Sequence, residues 1–253
     1  MQNVDCGMPD ERFYRREFPA IFRNPHSQIH NPAMSDWREK EKELLATLQS
    51  ALEEFHPKIS LACSFGAEDM VLVSALAQAR PGARLFYLDT GVLFEQTYQL
   101  IAKVKEMYPL EVERVATNLS LDQQENLYGP ALWSRQPDQC CQIRKVAPLK
   151  RFLATQQAWI TGIRREQSPS RAGAQIREWD ARFGLVKFNP LALWTDKDVW
   201  NYIHSHDVPY NPLHDQNYPS IGCIPCTAPV LPGQDPRSGR WPGMVKTECG
   251  LHK

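Results

Sequence analysis

Apolar positions along the chain fall into two alternating textures. Leu44, Leu45, Leu48, Ala51, Leu52 and Phe55 recur at helical spacing, which predicts a helix over about 36–55 with Asp36 as N-cap and His56-Pro57 as its stop. ISLACSF (59–65) is a short apolar run followed by helix-spaced DMVLVSALAQA (69–79). ARLFYLDTG (83–91) is a second run, followed by FEQTYQLIAKVKEMY (94–108). LEVERVA (110–116) alternates with period two, and AWITGI (158–163) follows a long helix at about 139–157. Strands separated by helices of this length predict an α/β fold, a twisted parallel sheet with helices on both faces.

Beyond residue 183 the periodicity fades. Thr195-x-x-Asp198 is a capping box that opens a helix running to about His206. From Pro209 onward prolines and glycines dominate, as in PVLPGQDPRSGRWPG (229–243), predicting a loop-rich tail that can cover a site on the sheet. Residues 1–34 hold four prolines and no sustained period. The expected organisation is an N-terminal arm (1–34), one α/β domain (35–228) and a C-terminal lid segment (229–253).

Composition narrows the class. The 253 residues carry 29 Lys plus Arg against 29 Asp plus Glu, so the net charge is zero. That disfavours a nucleic-acid coat or a polybasic membrane binder. The neutrality hides an uneven distribution, however. Residues 140–187 hold ten basic against three acidic side chains, whereas 59–139 hold six against ten. No run is long enough to span a membrane, and the opening MQNVDCGMPDERFYRREFPA has no apolar core of a signal peptide. A cytoplasmic protein with reduced thiols is expected, and seven cysteines at uneven spacing suit metal ligands or reactive thiols better than disulfides.

In an open parallel sheet, ligands bind at the carboxyl ends of strands. After the first strand, Ser64-Phe65-Gly66-Ala67-Glu68-Asp69 can offer a hydroxyl and backbone N–H groups to a phosphate, although an ordinary capped turn uses the same residue types. The second strand ends in Leu88-Asp89-Thr90-Gly91, where a carboxylate can accept from an adenine amino group or a ribose. After the fourth, Gly162-Ile163-Arg164-Arg165 and Arg171 place guanidinium forks where a diphosphate or sulfate would lie. Arg237 and Arg240 in the tail can close over the same anion.

Cys140-Cys141 and Cys223-x-x-Cys226 together supply four thiolates, enough for a tetrahedral zinc or a [4Fe–4S] cluster. Adjacent helical residues point about 100° apart, which favours a cube with separate irons over one small ion. Lys145, one turn after Cys141, would place a cation between such a cluster and an anionic substrate. Cys249, in Glu248-Cys249-Gly250-Leu251-His252, is either an incidental thiol or a nucleophile whose pKa a neighbouring cation lowers. Cys6 and Cys63 read as structural.

The ordered set SFGAED, LDTG, ITGIRREQSPSR, Cys140-Cys141, Cys223-x-x-Cys226 and ECGLH resembles the iron–sulfur assimilatory adenylyl-sulfate reductases, over about Ile59 to His252. The resemblance implies an adenine-nucleotide alpha-hydrolase-like fold and a [4Fe–4S] cluster on the four cysteines. It implies that Cys249 attacks the sulfur of adenylyl sulfate and expels AMP, and that thioredoxin or glutaredoxin then releases sulfite. Ser64, Gly66 and the Asp89–Gly91 turn would hold the nucleotide. Arg164, Arg165, Arg171, Arg237, Arg240 and His252 would surround the phosphosulfate. Plant-type members append a thioredoxin-like domain that is not found in these residues, so a separate reductant is expected; a homo-oligomer is compatible with the sequence.

Three other readings make distinct predictions. A phosphoadenylyl-sulfate reductase keeps the terminal cysteine motif but lacks the four-cysteine set, although dual acceptance of both nucleotides stays open. An ATP pyrophosphatase acting in sulfur transfer carries an SGG-x-D-S loop, from which Phe65 and Asp69 depart. A zinc-stapled binding module would be colourless and inert at its C-terminus.

Overall fold

A computed structural model describes residues 32–244, 246, 248 and 250, so Cys6, Cys249, His252 and all but the last three residues of the expected arm lie outside the described residues. The first helix, α1 (Pro32–Phe55), begins four residues before the expected N-cap, with a proline in the first turn, where its missing N–H costs nothing. Leu44, Leu48, Ala51 and Leu52 bury the predicted stripe.

The expected alternation then follows: β1 (Ile59–Ala62), α2 (Ala67–Ala79), β2 (Arg84–Asp89), α3 (Glu95–Met107) and β3 (Glu111–Ala116). Next come α4 (Leu121–Tyr128), α5 (Leu132–Arg135), α6 (Pro137–Cys141) and α7 (Ala147–Leu153), then β4 (Ala158–Ile160), β5 (Arg177–Asp180), β6 (Leu185–Phe188) and α8 (Asp196–Ser205). The six strands lie in the order β3-β2-β1-β4-β6-β5. All neighbours are parallel except β5, which runs antiparallel to β6 at the edge. The α/β architecture read from the periodicity is therefore correct.

Side-chain alternation along the strands divides the core. Ile59, Leu61, Leu85, Tyr87, Ala158 and Ile160 face one layer with α1, α2, α3 and α8. Phe86, Trp159 and Leu185 face the other, against Leu149, Phe152 and Leu153 of α7. Strands β1, β2 and β4 are thus covered on both sides, which is why they read as continuous apolar runs, whereas β3 and β5 at the two edges stay partly exposed.

The single helix expected over 139–157 is instead broken in register. Between α6 and α7, residues Gln142–Val146 form one wide π-helical turn. Pro148 gives the reason: its ring clashes with a carbonyl one turn back and it donates no hydrogen bond, and a widened turn absorbs both. The capping box expected at Thr195 is present, with Thr195 Oγ1 accepting from Asp198 N and the Asp198 carboxylate accepting from Thr195 N. A second box at Ser120 and Gln123 opens α4, which the apolar pattern alone does not reveal. Among the described residues, no helix is long and apolar enough to cross a membrane.

Candidate active site

Strand order reverses between β1 and β4, and a cleft of about 820 Å³ opens at their carboxyl ends. Its floor is the β1–α2 loop. Gly66 caps α2 in extended conformation, while Phe65 before it takes a left-handed φ of 61°. That strained position is held by burial and an edge-to-face contact with Tyr87 at 5.8 Å. Buried Asp69 accepts from both Ser64 N (2.5 Å) and Ser64 Oγ (2.7 Å), fixing the hydroxyl at the cleft. Burial nevertheless pushes the Asp69 carboxyl up to about 6, outweighing those bonds. A Cβ on Gly162 would sit 2.2 Å from Asp69 Oδ1, so the end of β4 can approach this loop only as glycine.

The wall beyond β4 is acidic around one buried cation. Arg164 Nε donates to Glu68 Oε1 (3.0 Å) and its Nη2 to Asp196 Oδ1 (3.3 Å), with Glu166 3.6 Å away. Arg164 is thus a strut between α2, α8 and the loop, flanked by three carboxylates. Arg165 turns away, its Nε donating to Ala174 O (2.7 Å). It is not among the residues that line the cleft, and neither are Asp89, Thr90 and Gly91.

The second-strand turn serves another purpose. Asp89 accepts from Arg114 Nε (2.6 Å), Tyr98 Oη (2.8 Å) and Gly91 N (2.9 Å). Burial pushes its pKa up, but those three donors overcome the penalty and hold it below the usual carboxylate range. Gly91 takes a φ of 74°, and the turn then delivers Thr90 Oγ1 to 3.3 Å from Cys223 Sγ. Of the four residues, only Leu88 reaches the cleft.

The cleft also has a basic end: Lys145, Arg171, Arg237 and Arg240 all line it. Arg171 makes a two-pronged contact with the buried carboxylate of Glu248, Nε to Oε1 at 3.1 Å and Nη2 to Oε2 at 3.0 Å. Arg237 Nη2 lies 3.1 Å from Glu248 Oε2. Arg240 donates to Ser220 Oγ and to Ile221 O, while its buried Nε has no acceptor among the described residues. His214, which the sequence reading passed over, also lines the cleft, and its buried Nε2 has no hydrogen-bond partner among the described residues. Burial lowers its pKa, so the ring is held neutral.

Next to the basic end lies a smaller void of about 20 Å³, lined by Cys140, Cys141, Cys223 and Cys226 together. All four cysteines are buried. Burial, reinforced by the neighbouring cysteines, pushes the Cys140 thiol up to about 12 and the Cys226 thiol up to about 11. Deprotonating this set requires a cation in their midst. Among the described residues, no three Cys, His, Asp or Glu side chains converge tightly enough to hold a single metal ion. Three cationic side chains, Arg144, Lys145 and Arg240, line the same void. Arg144, in the π-helical turn, is buried and donates to Gln124 Oε1 (2.7 Å), Thr90 O (2.8 Å) and Leu119 O (3.4 Å), all neutral acceptors. Its neighbour Lys145 attracted attention in the sequence; Arg144 did not, since nothing in a lone Gln-Ile-Arg-Lys string marks it as buried.

The tail closes this corner. Trp241 is buried against Cys223 and Cys226, and its N donates to Cys226 O (3.0 Å). Arg240 and Lys246 flank the indole, 4.7 and 5.3 Å from its centre. Lys246 pairs with Asp138, and Arg182 donates to Gly250 O. Cys249 and His252, expected at this mouth, lie outside the described residues.

A family model described as the phosphoadenosine phosphosulfate reductase domain matches residues 58–229. An adenosine 5′-phosphosulfate reductase of Staphylococcus haemolyticus is 50% identical over 206 residues, covering 81% of this chain and 85% of that protein. Among solved structures, a phosphoadenylyl-sulfate reductase from Candida auris in phosphate complex superposes with a TM-score of 0.64 at 27% identity, over 77% of this chain and 97% of that one. An FMN adenylyltransferase of Candida glabrata, 14% identical with a TM-score of 0.58, covers 78% of this chain and 65% of its own and shares the fold alone. With a nucleotide-sized cleft at the switch point of its sheet and these matches along most of its length, the chain belongs to the phosphoadenosine phosphosulfate reductase domain family.

Proposed function

We propose that the protein reduces adenylyl sulfate to sulfite and AMP in assimilatory sulfate reduction, using Cys249 as nucleophile. The Cys249 thiolate attacks the sulfur of adenylyl sulfate; an S–S bond forms as the S–O bond to the phosphate breaks, and AMP leaves with that electron pair. A dithiol protein, thioredoxin or glutaredoxin, attacks Cys249 Sγ and releases sulfite. Its second thiol resolves the mixed disulfide, so the dithiol supplies both electrons.

The observation that most supports this reading is the basic end of the cleft, whose four cations line it together with Glu248, the residue that precedes Cys249 in the sequence. Arg240, with its unpaired Nε, and Lys145 suit the phosphosulfate, and charge developing on the leaving phosphate is stabilised there. Ser64, Gly66, Leu88 and Gly162 bound the part of the cleft left for the nucleoside.

We read Cys140, Cys141, Cys223 and Cys226 as the ligands of a [4Fe–4S] cluster. Four buried thiols that line one void, two of them adjacent in the chain, suit a group offering four separate irons. Arg144 adds a buried positive charge whose hydrogen bonds among the described residues all go to neutral acceptors, suited to an anionic thiolate set. Bound there, the cluster would supply a fixed charge beside Lys145 that tunes the field at the substrate anion. Anaerobically purified protein should be brown, and Cys223→Ser should remove the absorbance near 400 nm; colourless wild-type protein containing zinc would contradict this assignment.

The test of the reaction is to incubate the holoprotein anaerobically with adenylyl sulfate, without thiols, and weigh the C-terminal peptide. A sulfonate on Cys249 with one equivalent of AMP is expected; AMP release without it overturns the mechanism. The same incubation with the 3′-phosphorylated nucleotide measures substrate preference.

A pH dependence follows from Asp69. Its folded pKa of about 6 is raised by burial, so it takes up a proton as pH falls through that value. A bound dianion favours the protonated form. Affinity of a Cys249→Ser variant for adenylyl sulfate should therefore rise several-fold from pH 7.5 to 5.5 by calorimetry. Asp69→Asn should flatten the profile, and an unchanged slope would remove Asp69 from the nucleotide's surroundings.

A further inference from the structure

The arginines of the basic end are not equally available to a ligand. Arg171 commits Nε and Nη2 to Glu248 and donates its Nη1 to Gln167 Oε1 (2.6 Å). Gln167 Nε2 in turn donates to Glu68 Oε1 (2.8 Å), so the network runs from α2 across the cleft to the tail. Arg237 adds its contact to the same carboxylate, and Ser170 Oγ donates to it at 3.4 Å. A buried carboxylate with this many donors is costly to extract, because its removal would strand two guanidiniums.

Glu248 immediately precedes Cys249 in the chain. From these contacts we infer that Glu248 is the positioning residue of the reaction: its carboxylate docks the terminal segment on Arg171 and Arg237 and so sets where Cys249 meets the substrate. Arg171 and Arg237 then hold the tail while still lining the cleft. Gly250 O, one residue beyond Cys249 in the sequence, accepts from Arg182. The arrangement also protects reactivity. A bare carboxylate next to the thiol would raise its pKa, whereas two guanidiniums on that carboxylate leave the local balance positive. The role in turnover rests on the reaction proposed above; the docking contact does not.

The experiment uses the anaerobically purified holoprotein and three variants, Glu248→Gln, Glu248→Asp and Arg171→Lys. Glu248→Gln keeps the size and loses the charge. Amide exchange in the peptide covering residues 247–253 should rise at least tenfold in Glu248→Gln and in Arg171→Lys, with Glu248→Asp in between. In Glu248→Gln, kcat should fall ten- to a hundredfold, while affinity for adenylyl sulfate in a Cys249→Ser background shifts less than threefold. Unchanged amide exchange in Glu248→Gln overturns the inference. So does a loss of affinity that matches the whole loss of kcat/KM, since Arg171 and Arg237 would then act on substrate alone. If wild-type protein forms no sulfite yet exchange still rises in Glu248→Gln, the docking role holds and it is the reading of the reaction that fails.

Discussion

Replacing Cys249 with serine is expected to lower turnover of adenylyl sulfate by about 10⁴-fold or more while leaving nucleotide binding intact. A serine hydroxyl stays protonated at neutral pH and is a poor nucleophile toward sulfur. It can form no thiosulfonate for a dithiol to cleave. Binding should persist because the cleft is built from the β1–α2 loop, the segment after β4 and the arginines of the tail. Sulfite and AMP release, followed anaerobically, measure the first effect and equilibrium dialysis the second. Residual activity above a few percent of wild type would mean that another group performs the attack.

The second large effect is expected at Trp241. This residue is 2% exposed and holds a left-handed φ of 49°, a strained conformation that its packing must maintain. It covers Cys223 and Cys226, donates from its backbone N to Cys226 O, and carries Arg240 and Lys246 against its ring. Trp241→Ala should cost about 3–5 kcal/mol of stability, the usual range for emptying such a site. At this chain length that corresponds to a Tm lower by roughly 10 °C. The cysteine void would open to solvent, and the absorbance of the proposed cluster should fade within hours in air. Trp241→Phe should recover much of the stability, since an apolar ring still fills most of the space. Equal losses in both variants would show that the indole is needed for more than its volume.

How far the sequence alone reached can be judged residue by residue. The strands that form the sheet centre were legible because burial on both faces leaves uninterrupted apolar runs such as ISLA and RLFYLD. Strands β5 and β6 were not. The edge strand reads Arg-Glu-Trp-Asp, with Arg177 and Trp179 exposed and Glu178 half-buried, and its partner interrupts a four-residue run with Lys187, which is buried and paired with Glu178. The four cysteines could be associated from spacing and chemistry despite lying far apart in the chain, and they line one void. The role of Asp89 could not be read, because its partners Arg114 and Tyr98 come from a neighbouring strand and helix. For the same reason Arg164 and Arg165 look equivalent in sequence. One becomes a buried strut and the other bonds its own loop. Glu248 was visible only as part of a terminal motif; its two arginine partners lie 77 and 11 residues away.

The uneven charge of the cleft also bears on how fast a ligand arrives. Glu68, Glu166 and Asp196 surround Arg164, whereas Arg171 and Arg237 share Glu248 and leave Lys145 and Arg240 on the same lining. Low-dielectric walls carrying both signs focus field lines, so a dianion approaching from solution is turned before it touches the protein. Encounter should accordingly be faster than chance orientation allows, and the association rate constant should fall steeply as added salt shortens the Debye length from about 30 Å at 0.01 M to about 8 Å at 0.15 M. The dissociation rate, set by short contacts inside the cleft, should respond far less.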